Sequence, residues 1–191
     1  MQSPAMTQPA ESVFPLKDGV HVYLFKLNER DQISSLLVLR RADNHKNCII
    51  SGIINDDENP FNAAMRETRE EISANPIIMF NIGLTEFIKC QRYMFKAQIF
   101  IGMIEHHIDI TLNQEHTSYE FVPVPKAEAQ LDYPEQKANF QECWKAAIAL
   151  LNPNDSPSSD QSNSPPEYLK NPRDKRTNAP CMPERISIFN N

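Results

Sequence analysis

Two runs near the start of the chain, Val20 to Leu27 (VHVYLFKL) and Ile33 to Leu39 (ISSLLVL), are dense in β-branched, aromatic and aliphatic residues and are separated by the turn-like NERDQ. Short apolar runs bounded by polar turn residues predict adjacent strands. Asn47 to Ile54 reads as a third. The period then changes. Asn59-Pro60 sets a capping amide ahead of a proline at the first helical position, where its missing N–H removes no helical hydrogen bond. At about 100° per residue, Phe61, Ala64, Met65, Thr68 and Ile72 fall within roughly 60° of one direction, a stripe suited to burial. Asn75-Pro76 ends that helix. Further strands are predicted over 77–88 and 92–104, with a short one at 119–124. From about Glu135 to Leu151, Phe140, Cys143, Trp144, Ala147, Ile148 and Leu151 return at helical spacing, which predicts a second helix laid on the core. Strands, helix, strands, helix make an α/β (α+β) sandwich with a mixed sheet.

Composition divides the 191 residues into three. Seven of the 15 prolines fall in the last 40 residues, among many Ser and Asn. Such a segment buries too little apolar surface to offset chain entropy. The chain is therefore read as a flexible segment over 1–13, a folded domain over 14–151, and a tail over 152–191 that is disordered or loosely docked. The tail ends in RISIF, either a fraying terminus or a strand that adds to a protein partner's sheet or to its own domain.

Nineteen Lys plus Arg against 25 Asp plus Glu give a net charge of −6, so no general basic excess draws the chain to nucleic acid or anionic lipid. The opening residues lack a basic stretch followed by an apolar one, and no run of about 18 apolar residues occurs, so a cytoplasmic protein without membrane contact is expected. Cys48, Cys90, Cys143 and Cys181 lie far apart without CxxC spacing, which argues against a zinc knot and a disulfide scaffold.

On the wheel of the first helix, Glu67, Glu70 and Glu71 point away from the buried stripe within an arc of about 100°. Glu67 and Glu71 form an i,i+4 like-charge pair that costs a few tenths of a kcal/mol unless something positive intervenes. Arg66 and Arg69 lie on the other flank, able to brace single glutamates such as Glu70 but not the whole arc. A divalent cation fills that role; hard oxygen donors without neighbouring His or Cys suit Mg²⁺ or Mn²⁺ rather than zinc. The plain alternative is a solvated acidic face.

Gly52, Glu58, Arg66, Glu67, Glu70 and Glu71 stand at the spacing G-x5-E-x7-R-E-x2-E-E within SGIINDDENPFNAAMRETREEISA, which resembles the box of the Nudix (MutT-like) hydrolase family. Six fixed positions at a background of roughly 1 in 15 each match by chance about once in ten million starts. LLVLRR (36–41) and EHTSYEFVPV (115–124) resemble flanking segments of the same family, so the likeness covers roughly residues 14–151. It implies an α/β/α sandwich and a metal-dependent hydrolase. The substrate class would be a nucleoside diphosphate linked to another group, cleaved at its pyrophosphate by water attacking phosphorus.

By that resemblance Glu67, Glu70 and Glu71 ligate Mg²⁺ or Mn²⁺, with the Gly52 carbonyl and Glu115 as further ligands. Glu58 supports the site, and Arg66 orients a glutamate by a bidentate pair in which lysine would be a poor substitute. Glu67 and Glu115 are the two candidates for general base. Arg40 and Arg41, closing a strand, are candidate phosphate contacts, with Arg40 favoured. His116 is either a phosphate contact or an ordinary surface histidine, and His106 and His107 read as hairpin residues.

Departures from the family pattern are Ser73 in place of the closing glycine, Thr68 for an aliphatic residue, Ser51 for the first of two glycines, and Asp57 ahead of Glu58. A non-glycine residue at a left-handed helix end costs about 1 kcal/mol unless the cap shifts, and Asn75 is positioned to take it. The landmarks of the ADP-ribose, dinucleoside polyphosphate and coenzyme A groups are not in place. A nucleotide derivative is thus the default substrate. Two alternatives stand beside it: a catalytically weak Nudix-fold module that binds nucleotide or protein, and hydrolysis at the 5′ end of RNA. Relatives that pair suggest a possible homodimer.

Overall fold

The computed structural model describes residues 14–152; the segments 1–13 and 153–191, and with them the expectations for the tail, lie outside the described residues. Strands β1 (Leu16–Leu27) and β2 (Ile33–Arg41) pair antiparallel around a turn in which Asn28 Oδ1 accepts from the N–H groups of Arg30 and Gln32. Next come β3 (Asn47–Cys48), β4 (Ile50–Ile53), helix α1 (Pro60–Ile72), β5 (Ile78–Lys89), β6 (Met94–Ile104), β7 (His116–Pro123), and helices α2 (Val124–Gln130) and α3 (Pro134–Leu151). The seven strands form one mixed sheet in the order β3-β2-β1-β6-β5, with β4 on β1 and β7 on β2. Helices flank it, giving an α+β sandwich.

Strand β1 organises the sheet. It runs parallel to β6 from Leu16↔Met94 to Lys26↔Ile104, and its other edge is shared by β4 at Gly19 to Val22 and by β2 at Phe25 to Leu27. Both of its faces are buried, so alternate side chains feed two cores. Val20, Val22 and Leu24 join Ala63, Ala64 and Ile72 of α1; Tyr23, Phe25 and Leu27 join Phe140, Cys143 and Ala147 of α3.

Several expectations are corrected. The run from Asn47 to Ile54 is two strands, because it crosses from β2 to β1: β3 pairs with β2, and β4 with β1. At the crossing the Ile49 N–H leaves the ladder and donates to Gln136 Oε1 on α3 (3.1 Å). Helix α2 was not anticipated; VPVPKAEAQ looks like a broken strand, but Pro125 stands in its first turn, where helices tolerate proline. Ile148 was assigned to the buried face of α3 and is 39% exposed. Ser73 itself, not Asn75, takes the left-handed position closing α1 (φ 55°), its N–H bonded to the Arg69 carbonyl. Ile72 and Ala74 on either side are buried, which holds the cap at that residue. Among the described residues no helix is long and apolar enough to cross a membrane.

Candidate active site

Helix α1 starts as its sequence dictates: the Asn59 side chain accepts from the N–H of Asn62 (2.8 Å) and Pro60 opens the first turn. Its three glutamates occupy graded environments. Glu70 is 55% exposed at the side chain, Glu67 13% and Glu71 3%. The wheel had all three pointing outward; Glu71 is instead covered by a chain segment distant in sequence. Asn113 and Thr111 donate their N–H groups to the carbonyls of Glu71 and Ile72 (both 3.1 Å), and the buried His116 follows. The reading of His116 as a surface residue is thereby corrected.

Arg66 reaches more of the acidic arc than its flank position suggested. It pairs bidentately with Glu58 (2.9 and 2.8 Å), touches Glu67 (2.7 Å) and Glu70 (3.0 Å), and donates to the Ile53 carbonyl (2.9 Å). A planar guanidinium with several fixed donors suits this task. It ties the loop between β4 and α1 to the helix, and it holds the Glu58 carboxyl below its usual range. Glu58 also accepts from the Asn55 N–H (3.1 Å). Glycine is needed at 52 for close approach, since a Cβ there would lie 1.8 Å from Glu67 Cδ.

Glu71 Oε1 accepts from the Ser51 N–H (3.2 Å), whereas its buried Oε2 has no hydrogen-bond partner. His116 Nε2 stands 3.7 Å from that oxygen, too far for a hydrogen bond. Burial drives His116 toward its neutral form, helped by the charge of Arg41, so it supplies no counter-charge. Burial pushes the Glu71 carboxyl well above the usual carboxylate range, and repulsion from Glu67 and Glu115 adds to this. Glu67 is raised by the same cause, with Arg66 opposing and Glu70 and Glu115 adding repulsion. Cys48, beside His116, is pushed up to about 12, chiefly by burial.

These residues fit a divalent cation: an orphaned carboxylate oxygen, and two carboxyls raised by burial and mutual repulsion. Among the described residues no three acidic, histidine or cysteine groups stand in a ligating arrangement, and Arg66 holds oxygens of both Glu67 and Glu70.

The site opens on a cavity of about 980 Å³ whose walls include Gly52, Glu67, Glu115 and Arg41, with Tyr93 and Tyr133 farther along. Glu115 sits on an exposed loop, its N–H on Asn113 Oδ1 (3.0 Å) and its carbonyl on the Ala42 N–H (2.8 Å). Of the two strand-end arginines the structure brings Arg41 to this cavity, bidentate to Asp43 at 2.9 and 3.0 Å. Arg40 lines a separate cavity of about 300 Å³ with Asn47 and Ser118. Of the two candidates, Arg41 rather than the favoured Arg40 lines the cavity of the acidic cluster; alternation along β2 separates neighbours, and a ladder irregularity falls between them. His106 and His107 lie far along the chain from the box and border another surface cavity.

A family model described as the NUDIX domain matches residues 17–144. No sequence among the curated proteins matches the chain. Among solved structures, an Ap4A hydrolase binary complex from C. elegans is 18% identical, with 70% of this chain and 98% of that chain covered and a TM-score of 0.60. The E. coli dihydroneopterin triphosphate pyrophosphohydrolase is 18% identical, with 69% and 97% covered and a TM-score of 0.59. A MutT protein from Methanosarcina mazei Go1 is 23% identical, with 70% and 96% covered and a TM-score of 0.57. With the domain model spanning most of the chain and the same fold in these neighbours, the chain belongs to the NUDIX domain family.

Proposed function

We propose that this member hydrolyses the pyrophosphate linkage of a nucleoside diphosphate joined to another group, with Mg²⁺ or Mn²⁺ held by Glu67, Glu70 and Glu71 together with the Gly52 carbonyl and Glu115. The observation that carries the reading is the buried Glu71 Oε2, without a hydrogen-bond partner and beside two further carboxylates that raise its proton affinity. When bound, a divalent cation neutralises the diphosphate oxygens and acidifies a water. Arg66 fixes Glu67 and Glu70 and clamps the Glu58 loop. Arg41, on the cavity wall, is placed to meet a phosphate by exchanging part of its pair with Asp43. Glu67 accepts the proton from the attacking water: its burial makes it more basic than an exposed carboxylate, a better match to a general base. Glu115 is the alternative acceptor.

A second reading, a nucleotide-binding module without turnover, is favoured by one observation: Arg66 already occupies oxygens of Glu67 and Glu70. One experiment separates the two. Phosphate and nucleotide release is measured over nucleoside triphosphates, dinucleotides, sugar nucleotides and triphosphorylated or capped RNA, with Mg²⁺ or Mn²⁺, for the wild type and Glu70→Gln. The hydrolase reading expects metal-dependent turnover reduced at least about 100-fold in the variant. Metal-independent binding without turnover on any member of the panel overturns it.

A further inference from the structure

The acidic box does not involve a second polar cluster in the same cavity. His21 of β1 is 2% exposed, and its Nδ1 donates to Glu86 Oε1 of β5 at 2.5 Å. Asn139 of α3 donates one amide hydrogen to Glu86 Oε2 (2.7 Å) and the other to the Glu135 carbonyl (3.1 Å). Both Glu86 oxygens therefore act as acceptors, which fixes the proton of His21 on Nδ1. The Phe95 ring packs on the imidazole with centroids 5.7 Å apart. Nε2 is left without a hydrogen-bond partner, yet it is not sealed from solvent: His21 lines the cavity shared with Gly52, Glu67 and Arg41. Three elements thus hold one ring of the cavity wall, with Nε2 as its one polar atom without a hydrogen-bond partner.

We propose that His21, aimed by Glu86 and Asn139, is a specificity-determining residue that hydrogen-bonds the nucleoside portion of the substrate through Nε2. The inference rests on the pyrophosphohydrolase reading. Register supports the assignment. His21 lies opposite Ser51, whose N–H holds Glu71, so the ring stands one strand away from the carboxylate cluster. The charged diphosphate belongs with Arg41 and the glutamates. The uncharged nucleoside belongs on the part of the wall built by His21, Phe95, Ile49 and Ile88. A merely structural pairing would use only Nδ1 and would have no reason to leave Nε2 open.

That distinction is testable because an asparagine amide nitrogen falls near the position of Nδ1 but leaves nothing at Nε2. His21→Asn retains an N–H donor toward Glu86 and removes Nε2 together with the ring carbon beside it. Calorimetric binding of the α,β-methylene diphosphates of adenosine, guanosine, cytidine and uridine is measured with Mg²⁺, and the imidazole nitrogens are followed by NMR in the wild type. The expected result is a shift of the His21 Nε2 resonance with the preferred nucleotide. His21→Asn, read at a temperature where its melting curve shows it folded, should bind that nucleotide roughly 5- to 20-fold more weakly, as for one lost hydrogen bond. Inorganic pyrophosphate should bind both proteins alike. Equal nucleotide affinities in the two proteins, or an unmoved Nε2 resonance on saturation, overturn the role of His21 and leave the hydrolase reading intact. Failure of the wild type to bind any of the four nucleotides overturns both.

Discussion

The two helices packed on opposite faces of β1 are built to different ends. Helix α3 buries Phe140, Cys143 and Ala147 against Tyr23, Phe25 and Leu27, an almost wholly apolar contact. Helix α1 buries Ala63, Ala64, Thr68 and Ile72 together with the carboxylate of Glu71, whose Oε2 has no hydrogen-bond partner. One face follows the rules of a stable core, whereas the other keeps an unpaired carboxyl oxygen and a serine in a left-handed cap. Such violations concentrate where a protein has chemistry to perform.

Removing Phe140 should break the stable side of this comparison most severely. Phe140→Ala is expected to lower unfolding free energy by about 3–5 kcal/mol in a urea titration, while Mg²⁺ affinity per folded molecule stays unchanged. A similar loss of metal affinity would mean that the two faces are not separable.

On the other face, Glu71→Gln should remove a burden. Because burial raises the folded-state pKa above the ordinary 4.5, the folded protein binds the proton more tightly than the unfolded chain does. The penalty is absent below about pH 4.5 and grows as pH rises toward the folded-state value. Without added metal, the glutamine variant should therefore melt at or above the wild type near neutrality, and the gap should close as pH falls through 4.5. Mg²⁺ should narrow it by stabilising only the wild type. A variant less stable at every pH would show that Glu71 is satisfied in the folded protein.

The smallest effect belongs to the helix end between the two faces. Ser73→Gly relieves a positive φ and is expected to add about 0.5–1 kcal/mol of stability, seen as a Tm rise of a few degrees. A fall in Tm would place the cap elsewhere.

The acidic box, the first two strands and both long helices were legible in the sequence, because each carries its signal locally: period, cap and spacing. What escaped depended on distant partners. A helical wheel gives the direction of Glu71 but not the segment that covers it, and the 111–116 loop that does so is some forty residues away. Arg66 lies on the other flank of the wheel and still reaches Glu67, because a wheel fixes Cβ directions and not the reach of a long flexible side chain. The break at Ile49 comes from its bond to Gln136, again distant in sequence. Helix α2 was hidden by prolines at positions where a helix accepts them. His21 drew no notice, since one histidine in an apolar strand carries no signal until Glu86 and Asn139 are brought beside it.

The parallel ladder from Leu16↔Met94 to Lys26↔Ile104 gives the site an order of assembly. Every glutamate of the box lies before residue 72, yet β1, the strand against which β4 and α1 pack, finds its long partner only in β6. During synthesis the glutamates therefore leave the ribosome well ahead of the strand that completes the sheet beneath them. Closing that long chain segment makes folding slow relative to a helical protein of the same size. Until β6 docks, the box is a sequence without a surface, and its acidic helix waits in water as an ordinary charged helix.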